Sequence, residues 1–251
     1  MKSKLRSAWD SGETAVNAWL SIPSSVTAEL MSKQDFDSVT VDLQHGLNDY
    51  QTALVVLQAI AASDVTPMAR PPWLEPGIIM KLLDAGALGI ICPMVNTRAD
   101  AEALVDYSHY APVGGRSFGP TRAVIAHGAD YHLHANDAVI TLAMIETLQA
   151  LENVADIATT PHLTGLYIGP SDLSLSMGYV PKLDHEEPAV LAAIEQILAA
   201  AHAAGIKAGI HCLAPAYAKR MRDMGFDLVT VSSDIRLLSA AVADTVNQMR
   251  D

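Results

Sequence analysis

Eight short apolar runs, each followed by a polar turn or a helical pattern, recur along the whole chain, and this alternation leaves few folds open. The runs are AVNAWLS (15–21), FDSVTVDL (36–43), TPMAR (66–70), ALGIICPM (87–94), VITLAMIE (139–146), LTGLYIG (163–169), IKAGIHC (206–212) and FDLVTVS (226–232). Apolar on both faces, they read as buried parallel strands. Between them YQTALVVLQAIAAS (50–63), PGIIMKLLDAG (76–86), TRADAEALVDYS (97–108), PAVLAAIEQILAAAHAAG (188–205) and PAYAKRMRDMG (215–225) carry helical patterning, several ending on glycine as helix C-termini often do. Strand and helix in alternation specify βαβ units, and eight of them favour a closed (β/α)8 barrel over an open sheet. The repeat is one of architecture only, and no linker interrupts it, so residues 1–251 read as a single domain. The length of 251 residues suits that barrel, which typically takes roughly 250.

Composition narrows the partners. Half of the residues are hydrophobic and 18% are charged, which argues for a packed core and against disorder. Twenty-eight acidic against 16 basic residues give a formal charge of −12, which opposes binding to nucleic acid or an anionic membrane. No run approaches the ~18 apolar residues of a membrane span. The opening MKSKLRSAWDSGETAVNAW lacks the apolar core of a secretory signal, so a cytoplasmic protein is expected. Cys92 and Cys212 each close or follow a strand and read as reduced core thiols.

In a barrel of parallel strands, the residues at the strand carboxyl ends meet at one mouth. Arg70 ends the third run, Glu146 the fifth, and Asp172 follows the sixth across a Gly169-Pro170 turn. Two carboxylates with water and a substrate completing an octahedron suit Mg²⁺ or Mn²⁺ better than zinc. Either carboxylate alone could instead serve the helix that follows it; the guanidinium beside them favours the metal reading. Ser171 and Asp172 are read as opening a helix whose free N–H groups can receive a carboxylate. Arg70, stiffened by two following prolines, can hold a carboxylate or keto oxygen and offset enolate charge. Its anionic partner must be protein or ligand. Asp42 and His45 in VTVDLQHG pair an acid with a histidine whose tautomer and basicity it can set; a histidine satisfied by backbone is the alternative. Met144, His211, Cys212 and Ser233 are candidate pocket walls, with a packing role equally open.

The stretch from Ala111 to Asp137 is about twice the usual connection length and reads as a lid or intersubunit arm. Within it, GGRSFGP (114–120) lacks nucleotide-loop spacing, and His127, His132 and His134 have no accompanying cysteine to suggest zinc. The closing DIRLLSAAVADTVNQMR (234–250) is an amphipathic helix, able to seal the barrel or to pack on a neighbour. Walker, GxGxxG, GxSxG and CxxC patterns are absent.

With VDLQHG, ARP, LLDAGALGIICPMVNT, GGRSFGP, MIET and IGPSDLSLSMG in this order, the chain from about residue 15 to about residue 240 resembles the HpcH/HpaI family of class II pyruvate aldolases. The resemblance implies a (β/α)8 TIM barrel of the phosphoenolpyruvate/pyruvate-domain type. It implies a divalent metal, Mg²⁺ or Mn²⁺ with Co²⁺ also accepted, held by Glu146 and Asp172. A 2-oxo acid would bind through its keto and carboxylate oxygens, with Ser171 and Asp172 N–H groups on the carboxylate and Arg70 on the keto oxygen, so that the partner of Arg70 is expected to be a ligand. His45, oriented by Asp42, would move the hydroxyl proton as a 4-hydroxy-2-oxo acid is cleaved to pyruvate, or hydroxypyruvate, and an aldehyde. A homo-hexamer exchanging its last helix is implied, with Asp84 approaching the histidine of an adjacent subunit. Lys207 begins its strand and so lies at the wrong end for a Schiff base. The chain departs from the family pattern at Met144, where Gln is usual, and at Leu43 and Gln44, where Gly-Glu is common; both changes bear on substrate choice. A citrate-lyase-like enzyme acting on an acyl-CoA and a non-catalytic barrel used for binding or assembly are the competing readings.

Overall fold

The computed structural model describes residues 3–250. Eight parallel strands, β1 (Ala15–Leu20), β2 (Ser38–Asp42), β3 (Thr66–Arg70), β4 (Gly89–Cys92), β5 (Ile140–Ile145), β6 (Gly165–Ile168), β7 (Lys207–Cys212) and β8 (Leu228–Val231), close in sequence order into a barrel. β8 pairs back to β1 through Val16 opposite Val229 and Asn17 opposite Thr230. Every run read as a strand is one, trimmed by no more than two residues at either end.

The helices are α1 (Lys4–Asp10), α2 (Ser25–Ser32), α3 (Tyr50–Ile60), α4 (Pro76–Asp84), α5 (Arg98–Ser108), α6 (Ala123–His127), α7 (Tyr131–Ala138), α8 (Leu148–Glu152), α9 (Val154–Ala158), α10 (Pro170–Ser176), α11 (Pro188–Ala203), α12 (Pro215–Met224) and α13 (Asp234–Arg250). Their starts are chemically marked. Asp49 accepts from Thr52 N ahead of α3, and Thr97 with Asp100 makes a reciprocal capping box ahead of α5, each satisfying N–H groups the helix leaves free. Proline opens α4, α10, α11 and α12, where its missing N–H costs nothing. Among the described residues no helix is long and apolar enough to cross a membrane.

Side chains alternate across each strand, and that parity sorts two cores. Trp19, Met68, Ile91, Ile140, Leu142, Met144, Tyr167 and Leu228 fill the barrel interior. Val39, Val41, Ala69, Ile90, Cys92, Ala143, Ile145, Leu166, Ile168, Ile210, Cys212 and Val229 face outward onto the helices. Both cysteines are free and buried between sheet and helices, and burial raises their thiol pKa well above the ordinary value.

Two segments correct the sequence reading, and a third supplies an element it lacked. The 111–137 stretch is a helix-to-strand link: it leaves α5, forms α6 and α7, and enters the start of β5, so it lies at the end of the barrel opposite the mouth. It cannot act there as a lid for its own site. The closing helix α13 does not seal the barrel, since only Asp234 of it is buried while Leu238, Val242 and Met249 are 57%, 53% and 82% exposed. The helix α1 plugs the bottom: Leu5 and Trp9 join the interior core, and the Trp9 indole donates to Asp227 O at 2.8 Å. Seven residues with two buried apolar positions carry too little periodicity to be read from sequence.

Candidate active site at the barrel mouth

A cavity of about 210 Å³ opens at the carboxyl ends of the strands. Parity aims Trp19, Asp42, Arg70, Met144 and His211 into it from β1, β2, β3, β5 and β7, and Glu146 continues the inward series of β5. Gly169, Ser171 and Asp172 line it from the β6–α10 turn, and Ser21, His45, Leu183, Ser233 and Arg236 from loops and the start of α13.

Glu146 is 2% exposed and its Oε1 accepts from Met94 N at 2.7 Å. Met94 is a non-glycine residue at φ 56°, a conformation that costs energy and is held here by the carboxylate it faces. Burial first, and the Asp172 charge second, raise the Glu146 carboxyl to about 7, against the Met94 N–H and Arg70, which favour its ionised form. Its Oε2 approaches Gly169 so closely that a Cβ there would stand 2.5 Å away. A glycine cradle, a carboxylate oxygen aimed over it and a second carboxylate near enough to repel it suit a hard divalent cation. Among the described residues no third His, Cys, Asp or Glu joins the pair, so water and substrate oxygens would complete the coordination. In α10, Pro170 is the first residue and Leu173 N bonds back to Gly169 O. The N–H groups of Ser171 and Asp172 therefore lie in the unsatisfied first turn.

Asp42 and Arg70 form a buried fork: Nε donates to Oδ1 at 2.8 Å and Nη2 to Oδ2 at 2.7 Å. Oδ1 also accepts from Gln44 N at 3.0 Å and His45 N at 3.3 Å, and Oδ2 from the Trp19 indole at 3.2 Å. The Arg70 guanidinium lies 4.8 Å above the Trp19 ring. Burial alone would raise the Asp42 carboxyl, but the Arg70 bonds and charge outweigh it and hold it below the ordinary carboxylate range. Two expectations change here. The anion paired with Arg70 is protein, Asp42, which leaves Nη1 without a partner among the described residues. Asp42 does not hold the His45 ring; it shapes the turn through the His45 backbone, and the exposed imidazole projects into the cavity by itself.

His211 stands in the barrel axis, its Nδ1 3.3 Å from Tyr167 Oη and its ring edge-on to Trp19 at 4.8 Å. Tyr167 Oη donates to Thr230 Oγ1 at 2.6 Å, Asn17 Nδ2 donates to the same oxygen at 2.9 Å, and Ser38 and Thr40 donate to Asn17 Oδ1. This interior ladder fixes the ring. Burial, with Arg70 and Arg236 nearby, lowers the His211 pKa to about 3, so the imidazole is neutral at physiological pH.

Met144, His211 and Ser233 line the cavity as expected of wall residues, but Cys212 does not: one position past His211, parity turns it outward into the helix layer. Asp84, at the C-terminal end of α4, lies outside the cavity and pairs with the buried Arg116 at 2.6 Å. Arg116 of GGRSFGP also donates to Tyr131 Oη and stacks 4.4 Å from Tyr110, a structural role. His127, His132 and His134 diverge, onto Gly86 O, the Phe118 ring and Asp130 respectively. Sequence reasoning missed Trp19, Ser21, Leu183 and Arg236. Trp19 could have been found by extending the inward parity of β1; the other three lie on loops and a helix start that carry no signature.

Comparison with known proteins places these features in context. The family described as HpcH/HpaI aldolase/citrate lyase matches residues 16–241. A hydroxypyruvate/pyruvate aldolase of Rhizorhabdus wittichii is 42% identical over 248 residues, covering 99% of both chains. A 4-hydroxy-2-oxo-heptane-1,7-dioate aldolase of Salmonella arizonae is 38% identical over 242 residues, 95% of this chain and 91% of that one. The crystal structure of an HpcH/HpaI aldolase/citrate lyase family protein from Burkholderia cenocepacia J2315 superposes with a TM-score of 0.92 at 30% identity, covering 100% of each chain.

Proposed function

Since the chain belongs to the HpcH/HpaI aldolase/citrate lyase family and is a carbon–carbon lyase of the aldolase type, we propose that it reversibly cleaves a 4-hydroxy-2-oxo acid into pyruvate, or hydroxypyruvate, and an aldehyde. The observation that carries this reading is one cavity holding two mutually repelling carboxylates, Glu146 and Asp172, with the Arg70 guanidinium. Glu146 and Asp172 would hold Mg²⁺ or Mn²⁺, which supplies Lewis-acid polarisation of a keto group and charge stabilisation.

The residues of the chain do the rest. The Ser171 and Asp172 N–H groups in the first turn of α10 receive the carboxylate of the oxo acid. Arg70, gripped at Nε and Nη2 by Asp42, presents Nη1 to the keto oxygen and stabilises negative charge there as it develops. In cleavage, His45 takes the proton of the C4 hydroxyl, directly or through water. The C3–C4 bond then breaks, its electron pair passing to C3 and the keto oxygen as the aldehyde carbonyl forms. Return of a proton to C3 gives the 2-oxo acid, and addition runs the same steps backwards. An acyl-CoA would require several cations for its phosphates, whereas the cavity has only Arg70, already paired, and Arg236. A homo-hexamer with exchanged last helices also belongs to this reading, supported by the uncovered α13. In it Asp84, remote from its own mouth, would approach a neighbour's His45.

The test is proton NMR of pyruvate and of hydroxypyruvate in D₂O with the protein, with and without Mg²⁺ or Mn²⁺. Metal-dependent loss of the protons beside the keto group is expected. No exchange with either donor under either metal overturns the reading.

A further inference from the structure

The donor half of the reaction uses one side of the mouth: Glu146 after β5, Asp172 after β6, and Arg70 on β3. Apart from Asp42 and His45 at β2 and Ser171 beside Asp172, the remaining polar lining comes from three strands adjacent in the barrel, His211 on β7, Ser233 and Arg236 beyond β8, and Ser21 beyond β1. Resting on the aldolase reading, we propose that this second wall is the acceptor subsite and that Arg236 binds a carboxylate or phosphate carried by the aldehyde.

Three observations support it. First, Arg236 has no hydrogen bond or ion pair among the described residues, although it lines the cavity. Elsewhere Arg70, Arg98, Arg116, Arg220 and Arg222 pair with carboxylates, and Arg6 and Arg122 donate to carbonyls.

Second, Arg236 sits in the first turn of α13, where the helix end is positive and a cation gains nothing from it. The carboxylate in the same turn, Asp234, is committed to Ser21 N at 2.8 Å, Ile22 N at 3.1 Å and Ile235 N at 2.8 Å. Those bonds pin the start of α13 against the exit of β1 and set where the arginine emerges; they leave it unneutralised.

Third, the other charged groups of the mouth each have a counterpart. Asp42 and Arg70 neutralise each other, and Glu146 with Asp172 balance a divalent cation. The oxo acid's carboxylate is received by the N–H groups of α10. Arg236 is the cation of the lining that these pairings leave without a direct counterpart, in a chain of net charge −12 where a local cation is needed to attract an anionic substrate. His211 adds no second charge, and with Ser233 it offers hydrogen bonds to the hydroxyl or carbonyl oxygen of the same molecule.

The test uses the full-length protein with pyruvate as donor and three acceptors: succinic semialdehyde, glyceraldehyde 3-phosphate and the neutral glyceraldehyde. The readout is the ratio of kcat/KM for each anionic acceptor to that for the neutral one, in the unmodified protein and in Arg236→Ala and Arg236→Lys. Arg236→Ala is expected to lower the ratio about tenfold, the size of one charge-assisted hydrogen bond, and Arg236→Lys to restore part of it. The acceptor with the larger loss identifies the anion as carboxylate or phosphate. An unchanged ratio in Arg236→Ala overturns the proposal, including the case where all acceptors fall together because the arginine serves the donor. Absence of donor proton exchange in the unmodified protein would instead bring down the aldolase reading on which the subsite rests.

Discussion

Replacing Asp42 by Asn tests whether this carboxylate exists for Arg70 or for His45. The pair is buried, with side-chain exposures of 11% for Arg70 and 2% for Asp42, and two N–H bonds of 2.8 and 2.7 Å join them. An amide keeps the shape but removes the charge, leaving a buried guanidinium uncompensated, a change that costs about 3–5 kcal/mol. For a domain of this size each kcal/mol moves Tm by about 2–4 °C, so a fall of roughly 6–20 °C is expected at pH 7. The Asp42 carboxyl is held below its ordinary 3.8. Its contribution is therefore present above that value and is lost as pH falls through the depressed pKa, so the difference between the two proteins should narrow only in strong acid. The assay is thermal unfolding across pH, with Arg70→Met and the double variant completing a cycle. The double variant should lose less than the two single losses combined. A loss under about 1 kcal/mol at pH 7, the range of solvent-screened surface pairs, would refute the claim of a buried, coupled fork.

Further outcomes follow from the same geometry. The Glu146 carboxyl at about 7 keeps a proton that the unfolded chain releases near its ordinary value of about 4.5. Metal-free stability should thus fall by about 3 kcal/mol as pH rises from about 4.5 to about 7. Glu146→Gln should flatten that slope in thermal unfolding, and Mg²⁺ or Mn²⁺ should raise Tm more at pH 8 than at pH 5; an identical slope in the Gln variant would place its source elsewhere. Gly169→Ala puts a methyl 2.5 Å from Glu146 Oε2 and 3.1 Å from Met144 Cε, so metal affinity measured by calorimetry should drop at least tenfold with the far-UV spectrum unchanged. His45→Ala should lower kcat for aldol cleavage by about 10²–10⁴ while pyruvate still binds, and an unaltered kcat would return His45 to a purely structural role.

Much of this was legible before any coordinate. A strand buried on both faces must be a nearly unbroken apolar run, so TPMAR, VITLAMIE and LTGLYIG announce themselves, and the charged residue that ends or follows each, Arg70, Glu146 or Asp172, falls at the mouth. Parity also carries information: once His211 points inward, Cys212 must point outward, so the two adjacent residues cannot both be walls. What could not be read is competition. Asp42 lies near His45 in sequence and 28 positions from Arg70, yet parallel pairing sets Asp42 opposite Arg70 across β2 and β3, and the guanidinium takes the carboxylate. Arg236 was hidden for a related reason, since its meaning depends on where Asp234 fastens α13. Length marks the 111–137 stretch as an unusual connection without saying which face of the barrel it crosses, so the lid reading could not be separated from the intersubunit arm.

The plug at the bottom of the barrel sets an order on folding. α1 precedes every strand in the chain, yet its anchors are scattered along it: Leu5 N on Thr66 Oγ1, Arg6 on the carbonyls of Ala138 and Val139, and Trp9 on Asp227 O, 218 positions away. Its docking surface is complete only when β8 has closed on β1, so a helix synthesised before every strand is among the last to settle. Until then the interior of the barrel lies open to water from below, and the half-built sheet presents two unpaired edges. Such long-range closure is slow and exposed to misassembly. The growing chain must therefore carry Leu5 and Trp9 uncovered until β8 has been synthesised.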